Sequence, residues 1–299
     1  MFNSIIDDFK NAWSKPNNAV VQIIIINVIV FIALNLLNLI LGRSNPELLG
    51  AIFSRFFLPA SVTSLITRPW TLVTYFFTHT DFRHILYNML FLYWFGKLIQ
   101  EFLGSKKLIS LFVMGGLAGG VFYILIYNIV PFYSSGAEVS RMLGASAGVF
   151  AVVVGAAVFM PNYTMFLIFI GPVKIKYIAI VYVLLSFFQI TGSNAGGELA
   201  HMAGAGMGFL YITQMKQGND IGAWVISFMN WVKSFFIAQP KIKVTHKAKR
   251  TTRKKATVGD NDPSKPDQSE IDAILDKISQ SGYDSLSKEE KQKLFNASK

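Results

Sequence analysis

Two side chains in this 299-residue chain have the types and surroundings that nucleophilic catalysis needs. Ser146 lies in Gly144-Ala145-Ser146-Ala147-Gly148, directly ahead of the apolar run 149–160. His201 lies in His201-Met202-Ala203-Gly204-Ala205-Gly206-Met207-Gly208, near the start of another apolar segment. A serine hydroxyl within reach of an imidazole is a nucleophile with its general base. A serine that opens a helix gains more, because free backbone N–H groups and a positive partial charge at that end stabilise an oxyanion. His84 and Asn88, four residues apart and so on one helix face, are further donors for that oxyanion. Phe150, one turn after Ser146, is placed to pack on the imidazole. The expected arrangement is a Ser–His dyad. Glu198 is the only acid near His201, and it is expected to face the outer water.

Taken singly, each signal has a plain explanation. Gly-x-Ser-x-Gly in an apolar chain mostly serves helix packing, and a histidine at the end of a span, His79 included, is often an interfacial hydrogen-bonder. The conjunction is what points to chemistry, so the elements that carry it decide the matter. The chain is 52% hydrophobic and 15% charged, with a mean hydropathy of +0.42; soluble domains average nearer ~25% charged. An all-α polytopic membrane protein is expected. Up to Ala200 the only carboxylates are Asp7, Asp8, Glu47, Asp81, Glu101, Glu138 and Glu198. A bilayer core disfavours each by roughly 2.5–3.5 kcal/mol, so they mark segment boundaries. Six segments emerge: residues 20–41, 82–102, 108–130, 146–160, 175–190 and 197–213. Residues 42–81, rich in proline and aromatics, read as an interfacial connection with short helices, one of them over 47–57. Four-residue glycine spacing, as at Gly204 and Gly208, suits close helix contact in lipid, and Gly115, Gly116, Gly119 and Gly120 in the third segment read as general packing.

With six spans the termini share a side. That side holds Lys10, Lys15, Lys97, Lys106, Lys107, Lys174, Lys176 and the basic tail, against Arg43, Arg55, Arg68, Arg83 and Arg141 opposite. Both termini are therefore expected to be cytoplasmic. His84, Asn88, Ser146 and His201 then lie at a matched depth in the outer half of the bilayer. Residues 1–19 read as a cytoplasmic segment without the basic start or cleavage site of a signal peptide, and residues 20–214 as the six-helix domain. Residues 215–238 hold an amphipathic interfacial helix, since a seventh span would export the basic tail. Residues 239–268 form a basic and polar linker, with eight Lys/Arg among residues 241–255. Without aromatic platforms these charges suit anionic lipid rather than nucleic acid, and His246 is part of that charge. Residues 269–299 read as a helical hairpin, with Ser269 as a first cap, Ile271, Ile274, Leu275 and Ile278 inward, a capping box at Ser287–Glu290, and Leu294 and Phe295 buried. Too small for much core alone, the hairpin is expected to dock elsewhere.

The carrying residues resemble those of the rhomboid intramembrane serine proteases: Gly144 to Gly148, His201 with Gly204 and Gly208, His84 with Asn88, and the stretch 70–79. The resemblance covers residues 70–213 well and implies a six-transmembrane-helix rhomboid bundle with a cytoplasmic helical tail. It implies Ser146 as nucleophile, His201 as base, and Asn88, His84 and the amides of Ala145 and Ser146 as the oxyanion hole. Thr71 stands where the family has arginine after the tryptophan, and Phe150 where tyrosine is common. The tail hairpin is similar to one appended to some bacterial members, and a bacterial inner membrane is the expected location. The expected activity is cleavage of transmembrane protein substrates near the outer face, with the fifth segment as gate and no cofactor or metal. A catalytically silent, client-binding relative is the alternative. A transporter lacks its internal repeats, there is no His-Glu-x-x-His and no aspartate within a span, and no strand precedes Gly-x-Ser-x-Gly as an α/β-hydrolase requires.

Overall fold

The computed structural model describes residues 10–167, 170–192, 194–236 and 268–297. The chain divides into two units, Met1–Gln239 and Pro240–Lys299. Residues 1–9 and most of the basic linker, with Lys241 to Lys255 and His246, lie outside the described residues.

The helices of the first unit that position the site include α1 (Ala19–Leu41), α2 (Phe82–Leu103), α3 (Ser105–Ile129), α4 (Ser146–Phe159), α5 (Ile175–Phe188) and α6 (Ala195–Lys216). Asp81 starts α2 by accepting from the His84 N–H at 2.9 Å, and Gly104, at φ +84°, turns the chain into α3. The first turn of α1 is tied to that turn, with the Val20 N–H donating to Gln100 Oε1 at 2.9 Å. α1 and α3 are each long and apolar enough to cross a membrane. α4 and α5 are apolar but have 14 residues each. α3, α4 and α6 pack most closely on one another. α4 is apolar all round, and ten of its 14 residues are buried, which suits a central helix.

The helical expectation needs two amendments. β1 (Leu58–Pro59) pairs antiparallel with β2 (Arg141–Met142), and β3 (Thr164–Leu167) with β4 (Gly171–Lys174). The second pair includes residues 171–174, directly ahead of α5. Gly171 takes φ +88° there, a conformation open to glycine. The long connection carries short helices as expected, at Pro46–Phe53, Val62–Thr67 and Thr71–Thr74, but the first ends at Phe53 rather than at residue 57. It is anchored without an arginine at position 71. Trp70 Nε1 donates to the Arg55 carbonyl and Arg68 Nη1 to the Ser54 carbonyl, both at 2.9 Å, while Ser61 Oγ donates to Glu138 Oε1 at 2.9 Å.

α7 (Ala223–Phe236) buries Val225 and leaves Trp224, Phe228, Trp231 and Phe235 exposed. Its start is fixed to α3 by Ser110 Oγ donating to the Gly222 carbonyl at 2.9 Å and by a Lys107–Asp220 ion pair.

The second unit contains α8 (Gln268–Ser281) and α9 (Lys288–Ala297). Ser287 and Glu290 form the capping box, their backbone N–H groups donating to each other's side chains at 2.7 and 3.2 Å. α8 begins before Ser269, which is therefore inside the helix and not its cap. Ile271 and Ile274 are buried, whereas Leu275 is 49% and Phe295 56% exposed, against expectation. A two-helix hairpin has one shared face, too narrow to cover every apolar position.

Candidate active site

The structure brings Ser146 and His201 into direct contact. Ser146 is the first residue of α4, and its Oγ lies 2.7 Å from His201 Nε2. Helix contact at backbone range makes this possible. A Cβ on Gly204 would stand 2.2 Å from the Ala147 carbonyl oxygen, and one on Gly208 2.3 Å from that of Ala151. Any side chain there would push α6 off α4 and carry His201 away. Gly148 packs in the same way against the Phe112 carbonyl of α3. Gly144 serves the turn instead. At φ +115° it directs the chain into α4, and a Cβ would meet the His84 ring at 2.5 Å.

The plane of the His201 ring is set by stacking. Phe150 lies 4.5 Å away at 9°. Its other face meets Tyr182 of α5 at 4.1 Å and 19°, and Tyr182 stacks on Phe91 of α2 at 4.5 Å. A ladder of rings thus joins four helices behind the imidazole.

Glu198 does not face outer water. It is 7% exposed, and its Oε2 lies 3.1 Å from His201 Nδ1. One turn separates the two residues on α6, which points both side chains the same way. Ser186 of α5 donates to the same oxygen and lies 3.0 Å from Nδ1. The expected dyad therefore has a carboxylate behind it.

The expected oxyanion donors are differently disposed. The Ala145 N–H donates to His79 Nε2 at 3.2 Å, so in this structure it is committed to a side chain. Asn88, 4% exposed, donates to the His84 carbonyl at 2.9 Å and touches His79 Nε2 at 3.4 Å. His79 is fully buried rather than interfacial. Burial, reinforced by His84, pushes its ring down to about 3, so it is neutral and free to accept. The His84 ring packs edge-on to His79 at 5.0 Å. His84, Ser146 and His201 line two clefts. One, of about 560 Å³, opens between Tyr87 of α2 and Leu185 and Gln189 of α5. The other, of about 300 Å³, is bordered by Arg141 and Asn194.

A family model described as the Rhomboid domain matches residues 67–217, half of the chain, and so takes in this whole cluster. The chain belongs to the rhomboid family. Its rhomboid domain is similar to RHOMBOID-like protein 12, mitochondrial, of Arabidopsis thaliana, with 34% identity over 158 residues, 50% of this chain and 47% of that protein. Rhomboid-like protein 17, chloroplastic, of the same plant is 24% identical over 54% of this chain and 49% of its own length. Rhomboid protein 1, mitochondrial, of Saccharomyces cerevisiae is 29% identical over 45% of this chain and 38% of its own. The chain thus spans half or less of the curated relatives it matches. Rhomboid domains are membrane-embedded, and these relatives are organellar by name, where a bacterial setting was expected. Residues 261–299 match a family of unknown function, DUF6576.

Sequence reasoning left three neighbours of the rhomboid site unused. Glu198 carried a usable signal, its three-residue spacing from His201. Ser186 and Tyr182, inside an apolar run on another helix, carried none.

Proposed function

We propose that this chain is an intramembrane serine endopeptidase that cleaves transmembrane segments of membrane-anchored proteins near the outer face of the bilayer. The 2.7 Å contact between His201 Nε2 and Ser146 Oγ carries the reading. Nε2 takes the hydroxyl proton as Oγ bonds to the scissile carbonyl carbon, then gives it to the leaving amine as the C–N bond breaks. Water, deprotonated at the same nitrogen, hydrolyses the acyl-enzyme. The oxyanion forms at the start of α4, where the Ser146 N–H and the His84 ring are at hand. Asn88 lines the same cleft and joins them by giving up its long contact with His79. The Ala145 N–H joins only if His79 releases it.

Helix length supports a recessed site. Fourteen residues extend about 21 Å, shorter than a ~30 Å hydrocarbon core. With six helices crossing and both termini on the cytoplasmic side, Ser146 sits below the outer surface. Water reaches it through the cleft bordered by Arg141 and Asn194. A substrate helix enters between α2 and α5, where the wider cleft opens. α7 rests in the inner interface, with anionic lipid at the basic tail. No cofactor or metal takes part in these steps.

The test uses the full-length protein in liposomes with a single-span model substrate. Wild type should cleave it and label at Ser146 with a fluorophosphonate, and both Ser146→Ala and His201→Ala should be silent yet folded. A wild type that neither cleaves nor labels would instead point to a silent, client-binding rhomboid.

A further inference from the structure

We propose that Glu198 is the positioning residue of a Ser146–His201–Glu198 relay, clamped from α5 by Ser186; this deepens the proteolytic reading and rests on it. Counting hydrogens assigns each role. The Ser186 hydroxyl has one hydrogen, and it is directed to Glu198 Oε2. Toward His201 Nδ1, 3.0 Å away, the Ser186 oxygen can therefore only accept. The carboxylate, 3.1 Å from the same nitrogen, is acceptor-only as well. With acceptors on both sides, the ring proton sits on Nδ1. Nε2 is left with its lone pair toward Ser146 Oγ, the tautomer that can take the hydroxyl proton.

During attack the proton moves from Oγ to Nε2 as the Oγ–carbon bond forms. The imidazolium keeps its Nδ1–H on Glu198, and the carboxylate is not itself protonated. When the C–N bond breaks, the Nε2 proton leaves with the amine. Glu198 touches neither substrate nor reacting atoms and acts through His201. It is the only carboxylate lining either cleft among the described residues. Polar groups lining the same clefts include Tyr182 and Ser186 from α5, His84 and Asn88 from α2, and Arg141 and Asn194 from the connections. Because Ser186 rides on α5, outward movement of that helix removes the clamp and leaves Glu198 bonded to His201 alone.

The experiment compares full-length wild type, Ser146→Ala, Glu198→Gln, Glu198→Asp and Ser186→Ala in liposomes with the model substrate, alongside ¹⁵N NMR of the His201 side chain. Glutamine places amide hydrogens beside Nδ1 and favours the wrong tautomer. A carboxylate-to-amide change of this kind in soluble serine proteases lowers kcat by about 10⁴-fold. Here kcat should fall by roughly 10²–10⁴-fold with KM within about twofold. Glu198→Asp should recover at least about tenfold of that loss, and Ser186→Ala should cost only about three- to tenfold. The ¹⁵N signals should show Nδ1–H in wild type and Glu198→Asp, and Nε2–H in Glu198→Gln. Glu198→Gln turnover within about twofold of wild type, with Ser146→Ala silent, would overturn the relay and leave the proteolytic reading standing. So would lost activity with an unchanged tautomer and no recovery in Glu198→Asp, which would mark Glu198 as structural. Absence of cleavage and labelling in wild type would remove the proteolytic reading, and the relay with it.

Discussion

α5 and α6 flank the same imidazole and are held in opposite ways. α6 meets α4 at backbone distance through Gly204 and Gly208, with no room for a single added carbon. α5 buries only Ile175, Ala179 and Ser186 and exposes Ile180, Val181, Leu184 and Phe188. One side of the site is thus a close-packed joint that fixes where His201 stands. The other is a lipid-facing helix whose hold on the site comes from the Tyr182 stack and the Ser186 hydroxyl. Close packing has few alternative arrangements, whereas a helix retained by a few contacts can move at low cost. The proposed enzyme needs both, because the proton-transfer pair must not drift while the substrate's way in must open.

Substitutions on each side test this contrast. The largest effect should come from Gly204→Val, whose added carbons collide with the Ala147 carbonyl and force α6 outward. Cleavage should drop by more than about 10³-fold, with a destabilisation of about 3 kcal/mol or more seen as a lower Tm. Retention of activity would show that the joint yields. Phe150→Ala should act less severely, lowering kcat by roughly 10²-fold because the ring plane is no longer fixed, while fluorophosphonate still labels Ser146 slowly. Phe150→Tyr should behave like wild type, so a loss there would mean the stack has tighter requirements than its geometry implies. The smallest effect belongs to α5. Leu184→Ala, on its exposed face, should leave cleavage within about threefold of wild type and should raise rather than lower it. A large loss would make α5 as rigid a wall as α6.

The same contrast explains what could be read beforehand. Gly204, Gly208 and His201 share one stretch of chain with one spacing, so their helix and its close contact were legible. Phe150 was legible because one turn separates it from Ser146. Glu198 was misplaced although the same spacing rule applied to it, because its acidity suggested water when two donors from two helices were waiting for it. His79 was undervalued for a similar reason: nothing local reveals that the Ala145 amide will turn toward it. The paired strands were missed since two and four residues carry too short a pattern.

The sequence by itself determined the apolar segments, the helix that Ser146 opens, and a residue set that belongs to the rhomboid family. Those follow from composition and from periodicity along one chain. Only the tertiary structure decided that the serine and histidine lie 2.7 Å apart, that Glu198 and Ser186 stand behind the ring, and that Ala145 and Asn88 are bonded to His79. Such facts depend on the relative placement of side chains from separate helices, which local spacing does not specify.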